Sequence, residues 1–385
     1  MKLLHTADWH VGKVLKGVER LGEQREVLAE IVALAEREAV DVVLVAGDVF
    51  ESAAPGAEVQ GLAWATLLAL RATGADVVVV AGNHDPAEWF DAWAPVFAGA
   101  GITMLGRPRR PDEGGVVELV GRSTGEVLRV ALLPFVSQRG VVRAGELLEL
   151  DAAQMAGAYA ERIAAVVAAL TAGFTVEAVN VVVAHATVRG GVLGGGERDA
   201  QTIFEYSVPA TVFPPSASYV ALGHLHRLQQ LPAPAPVWYP GSPIAVDFGE
   251  EADTKHVLVV EASPGAPAKV RAVPLASPRV LRTVRGTVAE LAAQAPDLGD
   301  ALLRVVVTER ARAGLADEVR HVLPNALEVR VERSDGDRGP GPRGPQGRTP
   351  HELFAAYLTE LEIDDPRLHS LFADLLDVEL SRGSG

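Results

Sequence analysis

VVLVAGD, residues 42–48, is an unbroken apolar run closed by Gly47-Asp48, and its reading decides the fold. Such a run is what a strand covered by helices on both faces requires. The pattern recurs outward in both directions. Residues 3–7 run into Asp8-Trp9-His10, and residues 77–81 into Gly82-Asn83-His84-Asp85. Residues 181–184 end at His185, and residues 219–222 at Gly223-His224-Leu225-His226. In open α/β sheets, sites form in the crevice beyond the carboxyl ends of the strands. Here that edge gathers Asp8, Asp48, Asn83 and five of the chain's ten histidines. One histidine after a strand is ordinarily a surface or satisfied core residue. Five in order, joined by two aspartates and an asparagine, point to a two-metal hydrolytic centre.

The residue types suit that chemistry. Hydrolysing a phosphodiester means driving a nucleophile onto a phosphorus screened by anionic oxygens. Two ions roughly 3.5–4 Å apart acidify a water and stabilise both the attacking and the leaving oxygen. Imidazole with carboxylate or amide oxygen, and no thiolate, suits manganese, iron or zinc. Asp48 can bridge with its two carboxylate oxygens. Asp8 and His10, like His224 and His226, stand at i and i+2, so each pair can share a face.

These motifs resemble those of the calcineurin-like metallophosphoesterases. LLHTADWHVGK (3–13), GDVFES (47–52), YVALGHLHR (219–227), YPGSPI (239–244) and DFGE (247–250) are further similar to the SbcD-type exonuclease subunits. Those are the bacterial counterparts of the nuclease in double-strand-break repair complexes. The resemblance implies an α/β fold, a two-sheet sandwich flanked by helices, with a small α/β capping domain and C-terminal helices. It implies two divalent ions, manganese by preference. Asp8, His10, Asp48 and His226 would hold one, and Asp48, Asn83, His185 and His224 the other. His84 would protonate the leaving oxygen or stabilise the transition state, with Asp85 either orienting it or serving as a turn or helix-capping residue before Pro86. The resemblance further implies DNA ends and hairpins as substrates, an SbcC-type ATPase as partner, and a homodimer, for which residues 89–97 are a candidate helix and equally a candidate core helix. One departure stands out: Glu51 occupies a place where some relatives carry a histidine after the Gly-Asp motif.

Two other readings use the same residues. One is a phosphodiesterase or nucleotidase acting on small molecules, and the other is a DNA-end tether without catalysis, which the full ligand set and His84 argue against.

Composition agrees with a large enzyme. At 385 residues, 48% hydrophobic and 22% charged, the chain can bury a full core in two or three units. No apolar stretch approaches the roughly 18 residues that span a bilayer, and the N-terminus lacks a basic-then-apolar signal. Cysteine is absent, which excludes disulfides and thiol catalysis. A cytoplasmic protein with no membrane contact is the simplest expectation. The net charge of −15 predicts weak DNA affinity for the chain alone, since such affinity comes mainly from Lys and Arg on phosphates.

Helical spacing predicts helices over 20–39 and 57–73, with Gly74 as a stop. Residues 146–172 read as a helical element. The Gly-rich stretch 189–201 reads as a substrate-side loop in which Arg189 and Arg198 meet phosphates, or as a plain surface loop. The division expected is a nuclease domain over 1–276, a β-α-β-α-β capping unit over 277–334, a Gly/Pro-rich linker over 335–348 and partner-binding helices over 349–385. In the last segment a capping box at Thr349-Pro350-His351-Glu352 opens one helix. Leu353, Phe354, Tyr357, Leu358 and Leu361 form its stripe, and Leu368, Leu371, Phe372 and Leu375 form that of the next. These apolar faces want either the ATPase or the parent domain.

Overall fold

The computed structural model describes residues 1–148, 159–194, 207–332, 350–360 and 365–382. Among them, the apolar runs are strands of two six-stranded sheets. The first sheet runs, edge to edge, Lys269–Pro274, His256–Glu261, Lys2–Thr6, Val42–Ala46, Asp76–Val80 and Ile102–Leu105. Its last four strands are parallel, and His256–Glu261 runs antiparallel both to them and to the edge strand Lys269–Pro274. The second sheet runs Gln229–Leu231, Val237–Tyr239, Tyr219–Gly223, Val179–His185, Val127–Leu133 and Val116–Val120, with only its two edge strands antiparallel.

The period-two alternation of a strand explains how the sheets stack. Leu3, Val42, Leu44, Val78 and Val80 point one way and meet Val130, Leu132, Val181, Val183 and Ala221 of the second sheet in a shared core. Leu4, Val43, Val45, Val77 and Val79 point the other way, onto Val27, Leu28, Ile31, Leu62, Leu67 and Phe90. Those six residues come from the helices Leu21–Arg37, Ala57–Ala72 and Ala87–Ala98. The outer face of the second sheet is covered by the helices Gln138–Leu147 and Tyr159–Thr171. The result is a four-layer α/β/β/α sandwich in which the central strands are buried on both faces.

The helices predicted over 20–39 and 57–73 form, and Gly74 follows the second at φ +94°. The element expected over 146–172 starts earlier, at Gln138, and residues 149–158 of it lie outside the described residues.

Beyond the sandwich, three parallel strands, Leu281–Gly286, Leu302–Val307 and Ala326–Val331, alternate with the helices Val288–Leu298 and Leu315–Val322. Thr287 caps the first helix reciprocally with Glu290. This unit has its own core around Leu291, Val305 and Val319. It joins the sandwich through a second small cluster of Leu281 and Leu302 with Leu15, Ala245 and Phe248. The Arg304 guanidinium lies 4.4 Å from the centre of the Phe248 ring.

The linker stretch 335–348 and Leu361 lie outside the described residues. The helices Pro350–Glu360 and Pro366–Arg382 pack on each other, with Phe354 and Phe372 stacked at 4.1 Å. The apolar stripe expected to face a partner is therefore not presented whole. Phe354 and Phe372 are used between the helices, Leu358 is buried, and Leu376 packs on the core behind the second sheet. Tyr357, Leu371 and Leu375 remain outward, each more than half exposed.

Candidate metal centre

Each site residue follows the carboxyl end of a parallel strand, and both sheets present those ends to the same edge. Main-chain bonds then fold the loops inward. Asp8 N donates to Gly47 O at 2.9 Å and His10 N to Asp48 O at 3.0 Å. His224 N donates to Asp8 Oδ1 at 2.9 Å, and His84 N to Asp48 Oδ1 at 2.8 Å. The cost is backbone strain. Asp8, His10, Asp48 and His224 all have positive φ, and they are four of the six non-glycine residues that do so among the described residues. Such conformations persist where the surroundings over-determine them, and they gather at functional sites. Gly82 allows the close approach, since a Cβ there would collide with Asp48 Oδ1 and Asp48 N.

The side chains converge around Asp48. Its Oδ2 lies 3.4 Å from His185 Nε2 and 3.8 Å from His10 Nε2. Asn83 Oδ1 stands 2.9 Å from both His185 Nε2 and His224 Nδ1. On the other side, the Nε2 atoms of His10 and His226 are 3.1 Å apart. Three groups bring their ligand atoms within 4.8 Å of one another: Asp8–His10–His226, Asp48–His185–His224, and His10–Asp48–His84. All of these side chains are buried.

This donor set fits divalent cations. Two nitrogens about 2.1 Å from one ion come to rest roughly 3 Å apart when their bonds meet at right angles, as the His10 and His226 nitrogens do. Charge tells the same story. Burial pushes the Asp8 carboxyl up to about 7, although His185 and His226 oppose it. Burial acts the same way on Asp48, but His185, His84 and His10 win and hold it well below the usual carboxylate range. Burial would lower His185, yet the Asp48 and Asp8 carboxylates raise it to about 9. Burial and the neighbouring His185 drive His224 well down, so it is neutral and free to act as a ligand. Crowded buried acids of this kind are relieved by a bound cation, the largest charge such a site can hold.

Asp85 departs from its expected role. Its carboxylate accepts from the backbone N–H groups of Val49, Phe50 and Gly82, at 3.2, 2.8 and 2.8 Å. It ties the Asp48 loop to the Asn83 loop. His84 is oriented by another group: its Nδ1 lies 2.7 Å from the carbonyl oxygen of Glu51. Arg189 is exposed on the turn that follows the short strand Thr187–Val188, with its Nε 3.3 Å from Ser207 Oγ, and Arg198 lies outside the described residues.

Two carboxylates set beside these histidines escape a reading of the sequence. Glu51, visible there only as a departure from relatives, lies beside His10, and Glu250, the last residue of DFGE (247–250), lies beside His226. The signal for Glu250 is its place in that motif, whereas Glu51 carries none beyond its nearness to Asp48.

The sequence pattern of the calcineurin-like phosphoesterases matches residues 1–228, which carry every one of these ligands. The chain is also 36% identical to the SbcD subunit of the SbcCD nuclease of Bacillus subtilis over 285 residues, 73% of this chain and 71% of that protein. The chain belongs to the SbcD family of calcineurin-like phosphoesterases. Identity to the corresponding SbcD protein of Rhodobacter capsulatus is 33%, covering 81% of this chain and 78% of that one. To that of Escherichia coli it is 27%, covering 76% and 73%. As an SbcD-family phosphoesterase it is a metal-dependent hydrolase, and the buried His/Asp clusters are where its divalent ions fit. No helix among the described residues is long and apolar enough to cross a membrane.

Proposed function

We propose that this chain is the DNA-cutting component of an SbcC–SbcD-type repair complex, a nuclease acting exonucleolytically on double-stranded ends and endonucleolytically on hairpins or single strands. The observation that carries the reading is the convergence of Asn83, His185, His224, His10 and His226 around the Asp48 carboxylate, with His84 beside it.

Asp8, His10, Asp48 and His226 would hold one manganese ion, and Asp48, Asn83, His185 and His224 the other. When bound, the two ions neutralise phosphate oxygens and make water a competent nucleophile near neutral pH. The protein's own groups do the rest. The Glu51 carbonyl accepts from Nδ1 and fixes the His84 ring; as an imidazolium, the ring would give its Nε2 proton to the departing oxygen and be left neutral. The His84 N–H holds Asp48 in line. Arg189, on the turn that follows the short strand Thr187–Val188, meets a DNA phosphate, and Arg198 would join it.

The division into a nuclease domain (1–276), a capping unit (277–334), a linker (335–348) and partner helices (349–385) belongs to the same proposal. In it the outward Tyr357, Leu371 and Leu375 dock the SbcC-type ATPase. Trp89, Trp93 and Val96, exposed on the Ala87–Ala98 helix, form the homodimer contact in the cytoplasm. With a net charge of −15, the isolated chain grips DNA weakly and the ATPase supplies much of the hold.

The test is manganese-dependent cleavage of a labelled DNA hairpin by wild type and His84→Ala, each with and without SbcC and ATP. Cleavage that requires His84 and rises with SbcC supports the proposal. Intact DNA alongside hydrolysis of a small phosphodiester assigns the chain to small-molecule substrates instead. Unchanged activities in His84→Ala with SbcC binding retained would favour the non-catalytic tether.

A further inference from the structure

The His10 and His226 rings each have a glutamate behind them, hydrogen-bonded at His226 and in close contact without hydrogen-bond alignment at His10. Glu51 Oε2 lies 2.9 Å from His10 Nδ1, and Glu250 Oε1 lies 3.2 Å from His226 Nδ1. Each carboxylate is matched on its other oxygen by a lysine. Lys13 Nζ lies 2.9 Å from Glu51 Oε1, and Lys255 Nζ donates to Glu250 Oε2. Two Lys–Glu–His arms thus enter from opposite sides and end at Nε2 atoms 3.1 Å apart.

The geometry has a chemical consequence. The Glu250 carboxylate keeps the proton on His226 Nδ1, and the Glu51 carboxylate beside His10 Nδ1 favours the same tautomer there, which sets two Nε2 lone pairs against each other. Lone pairs meeting at this distance repel unless a cation lies between them. A carboxylate behind a metal-bound imidazole also fixes the ring and raises its basicity. Each lysine lies against the second oxygen of its carboxylate and holds it in place.

The arms differ in stiffness. Glu250 is fully buried on the turn Phe248–Glu250, where its Oε2 also accepts from Ser242 Oγ at 3.2 Å and Val246 N at 3.3 Å. Glu51 is partly exposed, with Lys13 beside it at the rim.

We infer that Glu51 and Glu250, each with its lysine, are positioning residues that set the affinity of the His10–His226 ion and leave the Asn83–His185–His224 ion to its own ligands. The inference rests on the two-ion reading above, and its test does not use DNA.

The full-length chain, stripped of metal, is titrated with manganese chloride by calorimetry and followed by electron paramagnetic resonance, as wild type, Glu51→Gln, Glu51→Asp and Glu250→Gln. The expected result is two ions in wild type, with one of them weakened about 10- to 100-fold in each Gln variant and the other within about twofold. Glu51→Asp recovers part of the loss. Because Glu250→Gln leaves Lys255 buried beside a neutral amide and can unfold, the partly exposed Glu51 carries the test on its own if it does. Unchanged affinities in folded Gln variants overturn the inference and leave the two-ion reading intact. Equal weakening of both ions overturns it as well, because that is the mark of a general structural loss. Failure of wild type to take up manganese removes the two-ion reading itself.

Discussion

His84 Nδ1 lies 2.7 Å from the main-chain carbonyl oxygen of Glu51, which orients the ring from the backbone. Asp48 stands close to the same ring, which puts His84 at the edge of the ligand cluster. His84→Ala is expected to lower kcat on bis(p-nitrophenyl) phosphate by about 10²- to 10⁴-fold, the usual reach of one proton-transfer group. Manganese affinity, measured by calorimetry, stays within about twofold of wild type. A loss of metal uptake would instead make His84 a ligand, a role for which its proximity to His10 and Asp48 gives room.

The site edge was legible because chemistry-bearing residues follow directly on apolar runs, as Asp48 follows residues 42–46. The helices Leu21–Arg37 and Ala57–Ala72 were legible from spacing alone. The second sheet was not. Leu3 and Leu4, or Val42 and Val43, face opposite layers, yet both layers are apolar, so the strands lose the alternation that would tell a neighbouring sheet from a helix layer. That architecture came from family resemblance. Glu51 and Glu250 were hidden for a different reason: they are two of 50 acidic residues, and their role depends on which histidine the fold brings alongside. Asp85 misled because closeness in sequence to His84 suggested a contact, while its carboxylate reaches back to Val49 and Phe50.

That reach makes Asp85 a loop tie. Asn offers one acceptor oxygen and turns an amide NH₂ toward the remaining backbone donors. Asp85→Asn is expected to cost about 1–3 kcal/mol in denaturant unfolding, the penalty of a buried unsatisfied group. Metal affinity should fall with it, because the Asp48 and Asn83 loops lose their shared anchor. Full stability and metal uptake with catalysis alone abolished would restore Asp85 as the partner of His84.

Glu30, on the Leu21–Arg37 helix, accepts from Ala276 N at 2.8 Å and Ser277 N at 2.8 Å, where the chain leaves the sandwich for the second unit. Partial burial raises its carboxyl, but these bonds and Arg37 prevail and hold it below its ordinary value of 4.5. A depressed acid stabilises the folded state above its unfolded pKa, and that contribution fades as pH falls through the folded one. Wild type should therefore exceed Glu30→Gln in urea unfolding near neutral pH by about 1 kcal/mol or less, given the solvent nearby. The gap should narrow steadily as pH falls below 4.5. A gap unchanged by pH would mean that the amide loses packing and not charge.

Gly82 separates the strand Asp76–Val80 from Asn83, and its N–H donates to Asp85 Oδ2 at 2.8 Å. An added Cβ would strike Asp48 Oδ1 and the Asp48 backbone nitrogen, neither of them the free end of a flexible chain. Asp48 cannot retreat cheaply, since its Oδ1 accepts from His84 N and its own φ of +50° is already strained. The Gly82 loop must yield instead, carrying Asn83 and His84 away from His185. Gly82→Ala is thus expected to lower stability by about 1–3 kcal/mol, as overpacking does. It should also weaken the Asn83–His185–His224 ion more than the His10–His226 ion in a manganese titration. Preferential loss of the His10–His226 ion would mean that Asp48, and not the Asn83 loop, is the part that moves.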